Sequence, residues 1–211
     1  KNLLLHRAKS YDLDQSQTTL TNISAVRYSA AIVQAAQTFT PALTGSMPFS
    51  DVALAKVGSP TGQIWLELYA TSAGAPTGAA LYTSDKLDVS LISTSNQWVR
   101  FPWRTPPPVT SGTVYALVVT GNWTLSAANY VNVLYTNTSY AGGVGYYYNG
   151  SAWVSSTPAD NAFKTYVTQN DTALTLPSGY DQYAQVGWVY NDSGSNFDPF
   201  EAHDRDVSNN F

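Results

Sequence analysis

The feature that most narrows the fold is a two-residue apolar rhythm, repeated in short segments and broken by glycine and proline. Residues 63–70 set Ile64, Leu66, Leu68 and Ala70 against Trp65, Glu67 and Tyr69. Side chains alternating in this way lie on opposite faces of a strand. Residues 98–103 place Val99, Phe101 and Trp103 together, and residues 130–135 and 162–167 continue the series. Residues 114–119 are apolar on both faces, the mark of a strand covered on both sides. Between these runs stand Gly58-Ser59-Pro60-Thr61-Gly62, Gly74-Ala75-Pro76-Thr77-Gly78, Thr105-Pro106-Pro107-Pro108 and Gly142-Gly143, all turn chemistry. Asn149-Gly150, between Tyr146-Tyr147-Tyr148 and Ala152-Trp153-Val154, predicts a type I′ hairpin.

Helical spacing is nearly absent, and Glu occurs only at Glu67 and Glu201. Exposed helix faces normally draw on Glu, Lys and Ala. The expectation is an all-β chain, an antiparallel β-sandwich or jelly roll. Residues 1–30 lack clean periodicity and read as an N-terminal arm or linker. Residues 31–169 read as the sandwich. Residues 170–211 read as a short C-terminal β extension or tail, with a strand at 184–190.

Charged residues make up 11% of the 211, roughly half the usual ~25%. The polar surface must therefore come from Ser, Thr, Asn, Gln and Gly, as in many secreted and virion β proteins. Cysteine is absent, which excludes disulfides, thiolate metal sites and a Cys nucleophile. The net charge is -4 and no basic run exists, so no nucleic-acid surface is expected. No apolar stretch approaches the ~18 residues of a membrane helix, so no membrane insertion is expected. The start, Lys1 to Leu5, is too short for a secretion signal. The chain is expected to be processed, or cut from something longer.

Several motifs resemble a recurrent bacterial and phage β-sandwich module. They are Gln37-Thr38-Phe39, then Leu54-Ala55-Lys56-Val57-Gly58-Ser59-Pro60-Thr61-Gly62, then Ile64 to Ala70 followed by Gly74-Ala75-Pro76-Thr77-Gly78. Trp98 to Phe101, Thr113 to Val119 and Ala162 to Val167 complete the likeness, which spans residues 36–168. Modules of this kind resemble carbohydrate-binding and surface-anchored domains, and that resemblance implies an extracellular or cell-surface place. The tail is similar to a segment of phage structural proteins through Leu176-Pro177-Ser178-Gly179-Tyr180 and Val186-Gly187-Trp188 to Phe200. That likeness implies a virion location. These motifs record turns and core faces, and they specify a fold better than a function.

Catalytic chemistry finds little support. The histidines are His6 and His203, both near the termini and outside the expected sandwich, where no relay or metal triad is expected. Carboxylates fall mostly in or beside turns, as at Asp51, Asp85, Asp88, Asp160, Asp181 and Asp192. Only Glu67 lies within a clear strand, whereas a glycosidase needs two carboxyls facing across a sugar. The chain is expected not to be an enzyme. No cofactor is expected beyond a structural calcium ion, for which Asp160 with Asn161, or Asp12 with Asp14, offer oxygen ligands. Neither pair makes a dense acidic loop motif.

The aromatic residues are the most suggestive group. Tyr140, Tyr146, Tyr148 and Trp153 cluster around one hairpin, with Trp123 nearby in sequence. Such rings stack on the apolar faces of sugars while their polar edges stay wet. These five are the expected ligand-binding residues. Core packing and protein contact are the competing roles, and Tyr147 is expected to face opposite to Tyr146 and Tyr148. Two functions follow. One is a virion protein of a tailed phage: a fibre, decoration or host-attachment component that contacts other virion subunits, its own copies or a cell-surface glycan. The alternative is a secreted bacterial carbohydrate-binding module.

Overall fold

The computed structural model describes residues 11–138 and 140–169, and two short strands beyond them. Residues 11–170 form one compact unit. Its strands in chain order are β1 (Asp12–Gln17), β2 (Asn22–Val26), β3 (Gln34–Phe39), β4 (Gly45–Val57) and β5 (Gln63–Ser72). They continue as β6 (Ala75–Thr83), β7 (Leu87–Asp88), β8 (Gln97–Pro102), β9 (Pro108–Val109) and β10 (Tyr115–Gly121). The set closes with β11 (Tyr130–Thr136), β12 (Gly145–Tyr148), β13 (Trp153–Ser155), β14 (Asp160–Asn161) and β15 (Phe163–Gln169). Every pairing is antiparallel. Among the described residues no helix is long and apolar enough to cross a membrane.

The molecule is the expected all-β sandwich. In the first sheet the 13-residue β4 is the spine. Val52 pairs with Phe163 of β15 on one side and Val99 of β8 on the other. Leu54 pairs with Gln97 of β8 and Val133 of β11, so β11 runs on the β15 side. β1 extends this sheet beyond β15 and β2 extends it beyond β11, while β14 pairs with the β4-facing edge of β11, since Tyr135 pairs with both Asn22 and Asn161. The second sheet has the order β13-β12-β3-β10-β5-β6, with β7 also on β5.

The core lies between the sheets, where Phe39, Met47, Leu54, Ile64, Leu66, Leu68, Phe101 and Phe163 are almost fully buried. The alternation in β5 is the cause of its orientation: Ile64, Leu66 and Leu68 are 0% exposed, while Trp65, Glu67 and Tyr69 face outward. Each large apolar side chain so buried contributes about 1.5–3 kcal/mol. β10 is covered on both faces, as its composition requires, with Leu117 and Val119 in the core and Ala116 and Val118 beneath the outer layer.

The structure corrects two expectations. Residues 11–30 are not an arm, because β1 and β2 are edge strands of the first sheet. Each pairs on one side only and buries few side chains, so its sequence carries polar residues without clean alternation. The Asn149-Gly150 turn is not type I′, which needs positive φ at both central residues. Only Gly150 has one, at 88°. Asn149 Oδ1 instead accepts the N–H groups of Ser151 and Ala152, at 3.0 and 2.9 Å, and Tyr148 pairs with Trp153. The hairpin thus has a four-residue loop with its own side-chain cap. The expected strand at 184–190 falls largely outside the described residues. Val189–Tyr190 pairs with Phe197–Asp198 in a separate unit.

A polar clip joins the two sheets where β14 meets β3. Asp160, 3% exposed, accepts Gln37 Nε2 on Oδ1 at 2.9 Å and the Tyr140 N–H on Oδ2 at 2.7 Å. Gln37 Oε1 accepts the Asn161 N–H at 2.7 Å, and Asn161 Nδ2 donates to the Ala36 carbonyl at 2.8 Å. Removing Asp160 leaves the Tyr140 N–H and one of the two Gln37 Nε2 donations without an acceptor, the other going to the Thr38 carbonyl at 3.2 Å. Asp160→Ala is expected to lose roughly 2–3 kcal/mol, read as a lower urea midpoint with an unchanged slope.

Candidate functional site

The outward face of the second sheet has a floor of small side chains. The register aligns Ala36 of β3 with Val118 of β10, and Val118 with Glu67 of β5. One step along, Thr38, Ala116 and Tyr69 align. Ala36, Thr38, Ala116 and Val118 are at most 2% exposed, although they point away from the core. Aromatic rings from both flanks cover them. From one side come Tyr146 and Tyr148 of β12 and Trp153 of β13, and from the other come Trp65 and Tyr69 of β5.

The rings meet because the sheet curls. Trp153 and Tyr69 lie on strands four steps apart, which in a flat sheet would separate their backbones by about 19 Å. Their ring centroids are 6.4 Å apart at 70°. Trp153 also tilts against Tyr148 at 5.2 Å. In the β5–β6 turn, Gly74 (φ 84°) sits beside the Tyr146 hydroxyl. A Cβ there would make only ordinary contact with that hydroxyl, at 3.5 Å, and it is the positive φ that favours glycine.

The strip continues through Glu67. Its Oε1 accepts Trp65 Nε1 at 2.9 Å and its Oε2 accepts the Tyr69 hydroxyl at 3.0 Å. Both rings are thereby fixed in rotation. Burial and the adjacent Glu67 carboxylate push the Tyr69 phenol up to about 12, so it stays a donor throughout the neutral range. Lys86 Nζ stands 4.2 Å over the Trp65 ring. At the Trp65 end, Gln34 Nε2 donates to Thr120 Oγ1 at 2.9 Å. The sequence of contacts is therefore Tyr148, Trp153, Tyr69, Glu67, Trp65 and Lys86: half-buried rings around one held carboxylate.

The structure divides the five sequence-predicted ligand residues. Tyr146, Tyr148 and Trp153 share the outer face, while Tyr147 pairs with the core residue Ala35 on the opposite face. Trp123 is corrected: it is 1% exposed and belongs to the core. Its ring lies against Gly121, where a Cβ would stand 2.0 Å from Trp123 Cζ3. Tyr140 is also committed to packing. Its ring meets Phe163 edge-on at 5.3 Å and its hydroxyl donates to Gln15 Oε1 at 2.5 Å. Burial holds its phenol far above the ordinary tyrosine range.

Sequence reasoning missed Trp65, Glu67 and Tyr69. The signal was present in the β5 alternation, which put all three on one outward face. The three strands that stand between β13 and β5 in sheet order hid their proximity to the hairpin.

Of the calcium candidates, Asp160 and Asn161 are engaged by protein groups, whereas Asp14 is engaged through one oxygen and its buried Oδ2 has no partner. Both Asp160 oxygens accept protein donors, and Asp14 Oδ1 accepts the Ala42 and Leu43 N–H groups at 2.9 Å each. Desolvation raises the Asp14 carboxyl above its ordinary value. Among the described residues no three His, Asp or Glu side chains converge to hold a metal ion. His6 and His203 lie outside the described residues. A cleft of about 430 Å³ opens between the β2 and β12 edges, lined by Ile23, Tyr28, Ile32, Tyr135, Tyr147 and Asn161 among others. Its lining holds no charged side chain, and Asn161 Nδ2 is already bonded to Ala36.

No protein-family model matches the chain, and no curated protein matches it. Among solved structures, it is similar to the cysteine protease and lectin-like domains of Cwp84, a surface layer associated protein of Clostridium difficile. The identity is 12% and the TM-score 0.45, over 66% of this chain and 33% of that one. The chain thus spans about a third of that protein's length, and a likeness this slight decides neither fold nor ligand.

The Tyr69 geometry has a pH signature. Its phenol is held above the ~10 of an unfolded chain. Its contribution to stability is therefore complete below pH ~10 and is lost as pH rises toward 12. Denaturation midpoints of the wild type should fall across that window. Tyr69→Phe should show a shallower fall, and an identical slope in both would refute the assignment.

Proposed function

We propose that this chain is a non-catalytic carbohydrate-binding module of an exported or cell-surface protein, which takes a glycan along the Tyr148–Trp153–Tyr69 strip. The observation that carries the reading is the meeting of these rings, from β12, β13 and β5, on the outward face of the curled sheet. Aromatic faces offer apolar area to the C–H faces of sugar rings at little cost in side-chain entropy, because each has only two side-chain torsions. Gln34, Thr120 and Glu67 border them with groups that bond hydroxyls.

Turnover is not part of this proposal. Glu67 uses both oxygens to hold Trp65 and Tyr69, which suits positioning of the rings better than proton transfer. The virion reading drew its specific support from residues 174–200, which lie largely outside the described residues, and nothing in the sandwich adds to it.

The test is affinity electrophoresis through gels holding a broad set of soluble polysaccharides. Retardation by at least one is expected. Trp153→Ala and Tyr148→Ala should each weaken that binding on the order of tenfold, about 1.4 kcal/mol, while keeping the β-sheet far-ultraviolet spectrum. Trp123→Ala should instead lose stability, by about 3–5 kcal/mol. Absence of retardation across the whole set would reject the reading.

A further inference from the structure

Resting on that reading, we infer that the strip selects glycans carrying free amino groups, with Glu67 as the counter-charge for the sugar ammonium. Glu67 stands on the outward face in line with Val118 and across from Thr83 of β6. Its two protein hydrogen bonds come from neutral donors, Trp65 Nε1 and the Tyr69 hydroxyl. An ionised carboxylate offers about four lone-pair sites, so roughly two stay open toward the ligand. The ion pairs among the described residues are Arg100 with Asp51 and Arg104 with Asp85. None of them involves Glu67, whose negative charge meets no described cation at ion-pair distance.

Lys86 supplies the second, independent observation. Its ammonium stands 4.2 Å over the face of Trp65, the same ring whose edge is bonded to Glu67. A primary ammonium therefore already occupies this end of the strip, held by the ring quadrupole. Lys86 is exposed and on a mobile-length side chain, so a ligand ammonium can take its place. A glucosamine unit stacked on the neighbouring rings would present the same chemical group to Trp65 and Glu67. An N-acetylated sugar loses the charge, and a uronate sugar brings a carboxylate toward Glu67.

The experiment is titration calorimetry at mildly acidic pH with three probes. They are an oligomer of glucosamine, the same oligomer fully N-acetylated, and an oligomer of galacturonic acid. The glucosamine oligomer is expected to bind on the order of tenfold tighter than its acetylated twin, with affinity falling as salt rises. The galacturonate oligomer is expected to bind weakest. Glu67→Gln keeps an acceptor for Trp65 or Tyr69 and removes the charge, and it should abolish the preference. Lys86→Gln, an exposed change, should strengthen the glucosamine oligomer roughly threefold relative to the acetylated one.

Equal binding of the first two probes would overturn the inference and leave the glycan reading standing. So would a preference that survives Glu67→Gln, since the net charge of -4 attracts any polycation without a specific site. Galacturonate binding as tight as glucosamine, or weaker glucosamine binding in Lys86→Gln, would also overturn it. If none of the probes binds while a neutral polysaccharide retards the protein in gels, the inference fails alone. If nothing binds in either assay, the carbohydrate reading fails with it.

Discussion

The curl of the second sheet is the constraint on which the outer face depends. A sheet can bend toward one face only if the side chains inside the bend are small. The residues in that position are Ala36, Ala116, Val118 and Thr38. Larger residues there would push β12 and β5 apart and part Trp153 from Tyr69. The floor is buried without belonging to the main core, so the aromatic rings are both a covering layer and a surface. Their inner sides exclude water from the alanines, and their outer sides remain partly exposed.

Two kinds of order support this arrangement at different depths. The apolar contacts between Leu66, Leu68, Leu117, Val119 and the first sheet fix β5 and β10. Directional bonds fix the flanks. Asp160 and Asn161 tie β14 to β3, next to the strand on which Tyr146 and Tyr148 are aligned. Glu67 then fixes the ring orientations of Trp65 and Tyr69. A surface of exposed aromatics would ordinarily sample several rotamers. Here the polar partners remove that freedom before any ligand arrives, which lowers the entropy cost of binding.

How much could be read in advance varies with the interaction that decides each element. β5 was legible because one of its faces enters the core, and burial imposes the alternation. β10 was legible because both of its faces are covered. β1 and β2 were not, since an edge strand such as Asp12–Gln17 is held by backbone bonds to β15 that leave little trace in side-chain type. The Asn149-Gly150 pair located the hairpin correctly but not its register, because the Asn149 carboxamide caps two N–H groups instead of following the dipeptide preference. Within the site, Tyr146, Tyr148 and Trp153 were found through their closeness in sequence. Trp65, Glu67 and Tyr69 join them only through the long-range order of the sheet. Trp123 was misassigned because a tryptophan next to a loop looks the same in sequence whether its ring turns outward or folds back onto a glycine.

The self-capped loop at residues 149–152 bears on how such a protein can change. Its tip is exposed, and its turn is closed by Asn149's own side chain without help from neighbouring strands. Strands β12 and β13 begin their pairing immediately beyond it, with Tyr148 opposite Trp153. Extra residues at the tip would leave the pairing and the core untouched while hanging directly beside two of the stacking rings. Lineages of this fold therefore have a place where length variation can reshape what the surface recognises without endangering the scaffold that presents it.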